Sequence, residues 1–296
     1  MPEISVIIPV YNVDPYIARC LQSLQAQTFR DWEAICIDDG STDRTPQILD
    51  GFAAQDARIR VIHQANAGVS AARNRAVQLV RGRYCLLVDS DDFLHPQLME
   101  ICHHFAERDG SDLVAFTYNR AYRNELRRLR KKQLPEPETI PFKTYRIENI
   151  RSRVAENIFD WVTEYAISGL LRQKGKWTIK HCQPWRCLYR TDIIRDLRFP
   201  DGVIFEDLPW WGEVLLQVKR ATVLNLPLYY YYLTPGSLIV GAGSQKQADS
   251  LRKVIRLSEE YYQAHATPHQ QEKWEREFLS SFRNMLRRRE RKLRKA

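Results

Sequence analysis

Hydrophobic and polar positions change period repeatedly within the first hundred residues. Ile4–Val10 (ISVIIPV) is a near-continuous apolar run of strand length. Trp32–Ile37 (WEAICI), Ile59–Ile62 and Tyr84–Val88 (YCLLV) repeat that pattern. Between these runs the apolar residues fall at helical spacing. Ile17, Leu21 and Leu24 mark one helix, Pro46–Phe52 a second and Ser70–Val80 a third. Strands that are apolar throughout and alternate with helices predict parallel βαβ units, with both sheet faces covered. The expected fold class is therefore α/β, a mostly parallel central sheet flanked by helices.

Beyond residue 110 the pattern loosens. Residues 119–145 are basic and contain the stretch LPEPETIPF, which predicts a loop or mobile insertion. Asn149–Leu171 has helical character. Pro184–Arg190 (PWRCLYR) is a compact aromatic and basic unit. Val203–Val218 (VIFEDLPWWGEVLLQV) starts strand-like and runs into a helix, with Asp207 as the expected N-cap and Pro209 in its first turn. Thr222–Leu233 is strand-like, and its four consecutive tyrosines, Tyr229–Tyr232, are expected to alternate between core and cleft. From Ser250 onward the spacing is helical to the end. Trp274, Phe278, Phe282 and Leu286 form one stripe there, suited to core packing or to pairing with a second copy. The expected organisation is residues 1–110, residues 111–245 and a C-terminal helical extension over 246–296.

Composition narrows the class. Hydrophobic content of 44% and charged content of 27% are ordinary for a globular protein. The six cysteines contain no CxxC pair, and Cys36 and Cys85 lie inside strand-like runs, which predicts reduced, buried thiols. The opening MPEISVIIPVYN has no basic segment and no cleavage site, and no apolar run approaches the roughly 20 residues that span a bilayer. A cytoplasmic protein is expected. The net charge of +9 is unevenly placed. Residues 1–110 are net −5, whereas residues 119–132 are net +6 and residues 283–296 net +7. The two basic blocks suggest contact with something anionic, and an anionic membrane surface suits the last helix.

Polar residues sit where ligands bind in open α/β sheets, beyond the carboxyl ends of the strands. Asn12 follows the first strand, Asp38 and Asp39 the second, and the stretch LVDSDDFL places Asp89, Asp91 and Asp92 after the fourth. Crowded carboxylates repel unless a cation lies among them, and hard divalent ions prefer carboxylate oxygens. An Asp-rich surface turn is the other reading of that stretch. No GxGxxG follows a strand and no GxxxxGK[ST] occurs, so neither a dinucleotide fingerprint nor a P-loop is present.

Five blocks together resemble a known family. VIIPVYN at 6–12, IDDGSTD at 37–43, NAGVSAARN at 66–74, VDSDD at 88–92 and FEDLPWW at 205–211 are similar to the inverting glycosyltransferases of family 2, which have a GT-A fold. The resemblance covers about residues 3–240. It implies transfer of a sugar from a UDP-linked donor to a hydroxyl of a glycan acceptor, with Mn²⁺ or Mg²⁺ as cofactor. On that resemblance the first 110 residues form the nucleotide-sugar half of the domain, and residues 111–245 the acceptor half. Pro9, Tyr11, Asn12, Asp39, Arg73, Asp89 and Ser90 would bind the donor, with Asp39 accepting from uracil. Asp91 would hold the metal with Asp89, and Asp92 would assist. Glu206 and Asp207 match the family's acidic pair, in which the Asp is the general base. Trp185, Trp210 and Trp211 are candidates to stack on an acceptor sugar, or else core aromatics. Two positions depart from the pattern: Arg75 follows AARN, and Arg186 with Cys187 follows Trp185. The implied setting is bacterial surface-glycan synthesis (lipopolysaccharide, O-antigen or capsule), peripheral at the inner membrane. A sugar-nucleotide nucleotidyltransferase would need a glycine-rich start where this chain has PVYNVD. A nucleic-acid-binding protein would use the basic tail but leave the strand-end acids unexplained, so no nucleic acid is expected.

Overall fold

The apolar runs of the sequence pair into one sheet. The computed structural model describes residues 1–120, 142–156, 183–232 and 245–294. Among the described residues, nine strands join that sheet: β1 (Ile4–Val10), β2 (Trp32–Asp38), β3 (Ile59–His63), β4 (Tyr84–Leu87), β5 (Phe93–Leu94), β6 (Leu113–Arg120), β7 (Ser152–Ala155), β8 (Cys187–Arg190) and β9 (Ala221–Tyr231). Their order is β3-β2-β1-β4-β8-β6-β9-β5, with β7 paired to β9. The first four are parallel, as the βαβ pattern predicts. β8 then enters antiparallel to both β4 and β6. Chain direction across the sheet reverses at β1, which lies between β2 and β4, and this is the place where open α/β sheets form their ligand crevice.

Both faces are covered. Alternation along β1 sends Val6, Ile8 and Val10 to one side, against α1 (Ile17–Gln25) and α4 (Leu98–Asp109). Ile7 points to the other side, shared with α3 (Val69–Val77). α2 (Thr45–Gln55) and the short α5 (Thr191–Ile194) complete the N-terminal layers. Every residue of β1 and β2 is buried, and each Ile or Val so placed contributes roughly 1.5–3 kcal/mol. Five cysteines (Cys20, Cys36, Cys85, Cys102 and Cys187) are free and buried, as expected, and Cys182 lies outside the described residues.

The helix that carries the acidic pair is α6 (Asp207–Gln217). It packs beneath a C-terminal layer of α7 (Gln245–His265), α8 (Pro268–Trp274), a π-helical turn (Glu275–Leu279) and α9 (Ser280–Leu293). The turn between α7 and α8 is fixed by a capping box, in which Thr267 Oγ1 accepts from the Gln270 N–H and the Gln270 side chain accepts from Thr267 N–H. Trp274 then stacks on Tyr262 at 4.5 Å, and the Tyr262 hydroxyl donates to the Gly212 carbonyl at 2.7 Å. A Cβ at Gly212 would meet Trp274 Cζ2 at 2.8 Å and Tyr262 Cε2 at 3.1 Å. Gly212→Ala is therefore expected to lose about 1–2 kcal/mol, the overpacking cost exceeding alanine's helical advantage. Urea unfolding checks this, and an unchanged midpoint would show that the rings can give way.

The later segments correct several expectations. Residues 203–206 form no strand, and Glu206 rather than Asp207 occupies the helix N-cap, with no side-chain capping bond. Of the helical segment expected over Asn149–Leu171, Asn149 closes a one-turn 3-10 helix (Ile147–Asn149) and Ser152–Ala155 is instead a strand added to β9; positions 157–171 lie outside the described residues, as do 121–141 of the basic insertion. Of the two readings of the stripe Trp274, Phe278, Phe282 and Leu286, core packing is the one seen: the first three are buried and Leu286 packs against them. No helix of the described residues is long and apolar enough to cross a membrane.

Candidate active site

The loops after β1, β2 and β4 are built to meet. Beyond Val10 the chain turns through Asn12 at φ +49°, a left-handed conformation that asparagine tolerates. Asn12 Oδ1 accepts from Thr42 N–H at 2.7 Å, and the Asn12 N–H donates to Ser41 Oγ at 3.0 Å. The end of β1 is thereby tied to the loop after β2. Pro9 is buried within β1, and Tyr11 stands at the rim, 49% exposed. Asp39 is buried, and its carboxylate organises the approach to α3. Oδ1 accepts from Gln64 Nε2 at 2.7 Å and Ala67 N–H at 2.9 Å, and Oδ2 from Gly68 N–H at 2.7 Å. An anion in front of a helix start is favourable. Gly40 has φ +75°, and a Cβ there would lie 2.9 Å from Asn66 N, so this loop needs glycine on both counts.

Arg73, reaching in from α3, joins three motifs that are far apart in sequence. Its Nη2 donates to Asp89 Oδ1 at 3.0 Å and its Nη1 to Glu206 Oε1 at 2.6 Å, with its guanidinium carbon 5.2 Å from the centre of the Phe199 ring. Burial opposes the charge of Arg73, but Asp89 and Glu206 outweigh it and raise its pKa. The effect on the neighbouring acid is opposite. Burial first, then the adjacent Glu206, push the Asp207 carboxyl well above its ordinary 3.8, against the pull of Arg73. A buried carboxyl shifted this way beside a buried guanidinium marks a candidate functional site.

The three acids after β4 are placed differently from one another. Asp89 is 30% exposed at its side chain and meets Arg73. Asp91 is part-exposed, and its carbonyl accepts from Arg19 Nη2 at 2.9 Å. Asp92 is wholly buried: Oδ2 accepts from the Tyr229 hydroxyl at 2.6 Å and Oδ1 from Tyr232 N–H at 2.5 Å. Asp92 thus braces β9 against this loop, which corrects its expected place beside a metal. Burial first, then Asp91 and Asp89, raise its pKa. Ser90 is buried between the part-exposed Asp89 and Asp91. Among the described residues no three His, Cys, Asp or Glu side chains converge as a ready-made metal cage. Asp89 and Asp91 still fit a hard cation, because Mg²⁺-type ions commonly take one or two carboxylates and complete their shell with substrate phosphates and water.

The aromatic candidates are core. Trp185 is 3% exposed and stacks on Tyr229 at 4.2 Å. Trp210 is fully buried, stacked on Phe199 at 4.5 Å, and Trp211 is 3% exposed. None stands open to an acceptor sugar, so the packing reading of these tryptophans holds. Two residues hold the site in roles that no sequence motif marks. The Tyr229 hydroxyl also accepts from Asp89 N–H at 3.1 Å, and Arg19 lies between the rings of Phe93 and Tyr232, with centroids at 4.7 and 4.4 Å. The antiparallel pairing of β5 with β9 and the packing of α1 beside them bring these side chains together.

Comparison with known proteins places the chain in a family. The profile described as "Glycosyl transferase family 2" matches residues 5–198. The chain is 40% identical over 243 residues to "Putative glycosyltransferase EpsH" of Bacillus subtilis (strain 168), covering 80% of this chain and 63% of that protein. It is 32% identical over 241 residues to "Uncharacterized glycosyltransferase EpsJ" of the same strain, with the same 80% and 63% coverage. The chain thus spans a little over three fifths of the length of these relatives. Among solved structures, S. aureus TarS 1–349 in complex with UDP superposes with a TM-score of 0.64 at 24% identity, over 91% of this chain and 68% of that one. That likeness is one of fold.

Proposed function

Because the chain belongs to glycosyltransferase family 2, we propose that it moves a sugar from a UDP-linked donor to a hydroxyl of a glycan or glycolipid acceptor, with inversion at the anomeric carbon. The observation that carries this reading is Arg73, which gathers Asp89 and Glu206 at the crevice end of the sheet with Asp207 alongside. The UDP in the TarS complex supports the choice of nucleotide. Asn12 and Asp39 hold the loops that would receive the uridine, and the three donors on Asp39 keep its carboxylate fixed for that task.

The step assigned to Asp207 is removal of the acceptor's hydroxyl proton. As that oxygen bonds to the anomeric carbon, the bond from this carbon to the diphosphate oxygen breaks, and the electron pair leaves with UDP. Asp207 keeps the proton. A single base suffices for direct displacement. Asp89 and Asp91 would hold Mn²⁺ or Mg²⁺, which when bound supplies charge neutralisation for the diphosphate. Arg73 fixes Asp89 and Glu206 relative to each other, so the donor side and the base side of the site move together. Acceptors of the lipopolysaccharide, O-antigen or capsule type fit the family setting. The exposed bases of α9 (Arg287, Arg288, Arg291 and Lys292) suit an anionic membrane surface on the cytoplasmic side.

Release of UDP from a panel of UDP-sugars with Mn²⁺, with EDTA controls, tests the reading. Slow, EDTA-sensitive hydrolysis of one donor is the expected result, and that donor identifies the sugar. Absence of binding and hydrolysis for every UDP-sugar would overturn the uridine assignment and direct the assay to GDP- and dTDP-sugars.

A further inference from the structure

Phe205 has a φ of +72°, in the left-handed region that bulky side chains avoid. It directly precedes Glu206 and Asp207, and its carbonyl accepts from Leu208 N–H at 3.2 Å to close the first turn of α6. Such a conformation persists only where the surroundings fix it, and residues held this way cluster at active sites. Here the surroundings are the C-terminal helices. Ser250 Oγ on α7 accepts from Ile204 N–H at 3.1 Å, and Lys253 Nζ donates to the Asp201 carbonyl at 3.3 Å. From α9, Arg289 sets its guanidinium carbon 5.1 Å from the centre of the Phe205 ring, within cation–π range, while its Nε donates to Gln247 Oε1 on α7 at 3.2 Å.

Arg289 differs from the other bases of the last helix. Arg283 pairs with Glu259 and Glu275, and Arg287, Arg288, Arg291 and Lys292 are exposed. Arg289 is part-buried at a cost to its charge, and among the described residues no carboxylate forms an ion pair with it. A solubilising or lipid-facing base would lie outward with its neighbours. This one is turned inward onto the ring next to the acidic pair.

We propose that Arg289 is a positioning residue of the transfer reaction: seated on Phe205, it lets the C-terminal helices hold the left-handed turn that places Glu206 and Asp207. The proposal rests on the assignment of Asp207 as the base. Arg289→Met keeps the stem and removes the cation. Amide hydrogen exchange over residues 204–208 is expected to accelerate about tenfold in this variant. Turnover with acceptor is expected to fall by a similar factor, with the donor KM and UDP affinity unchanged. Arg289→Lys, which keeps a cation over the ring, is expected to recover most of both. In a Phe205→Gly background the φ value needs no support and the ring is gone, so Arg289→Met is expected to add nothing further. Unchanged exchange over 204–208, or losses that simply add in the double variant, would overturn the proposal. Full transfer by an Asp207→Asn variant would remove the base assignment instead, because the exchange result is read without turnover.

Discussion

Asp207→Asn is expected to lower transfer turnover about 10³-fold, within the range for loss of a general base, while UDP affinity changes less than about twofold. Burial first, then Glu206, raise the pKa of the Asp207 carboxyl. A base must be deprotonated to act, so kcat/KM of the parent should climb with pH through the raised value and level off above it. The Asn variant should lose this limb. Stability has the opposite sign. A raised carboxyl pKa means that the folded state holds the proton more tightly than the unfolded chain. Its stabilising contribution is full below about 3.8 and fades as pH rises through the folded value. At pH 8 the Asn variant should therefore unfold no earlier than the parent. Transfer within tenfold of the parent, or a pH limb that survives the substitution, would assign the proton to another group.

Arg73→Met is expected to be the most damaging substitution for the fold near the site. The guanidinium is buried between Asp89 and Glu206, whose side chains are 30% and 14% exposed. Removing the cation leaves two neighbouring carboxylates without it, and breaking a buried pair of this kind costs about 3 kcal/mol after allowance for the partly exposed Asp89. For a chain of this size the melting temperature should fall by about 5–10 °C. Arg73→Lys should not restore it, because one ammonium cannot span both carboxylates as the planar fork does. The double variant Arg73→Met, Glu206→Gln should recover part of the loss by removing one stranded charge. If melting is unmoved in Arg73→Met, the two ion pairs contribute little and the site's cohesion lies elsewhere.

The first four strands and their helices were legible because strand and helix periods alternate cleanly up to Leu87. The acids at the strand ends were legible because the turn from an apolar run to charge is abrupt at Val10, Ile37 and Val88. Legibility failed where placement depends on partners distant in sequence. Asp91 and Asp92 are adjacent and chemically identical, and only the register of β9 decides that Asp92 faces Tyr229 while Asp91 stays part-exposed. The tryptophans of FEDLPWW and PWRCLYR could equally have lined a cleft, and what buries them is the layer formed by α6 to α9 and the β9 tyrosines. Phe205 gives no sign in the sequence of its left-handed backbone, since glycine, the residue that would signal it, is absent.

The antiparallel entry of β8 between β4 and β6 bears on how the chain is made. The partner for the outer edge of β4 is a segment translated about a hundred residues later. At ordinary rates of synthesis this leaves Tyr84–Leu87 with one open, apolar edge for about 5–20 s after it emerges from the ribosome. Such an edge is a template for pairing with other nascent chains. The strand that delivers the acid cluster is thus also one that waits exposed during birth, and the yield of active protein should depend on shielding of that edge as well as on the stability of the finished sheet.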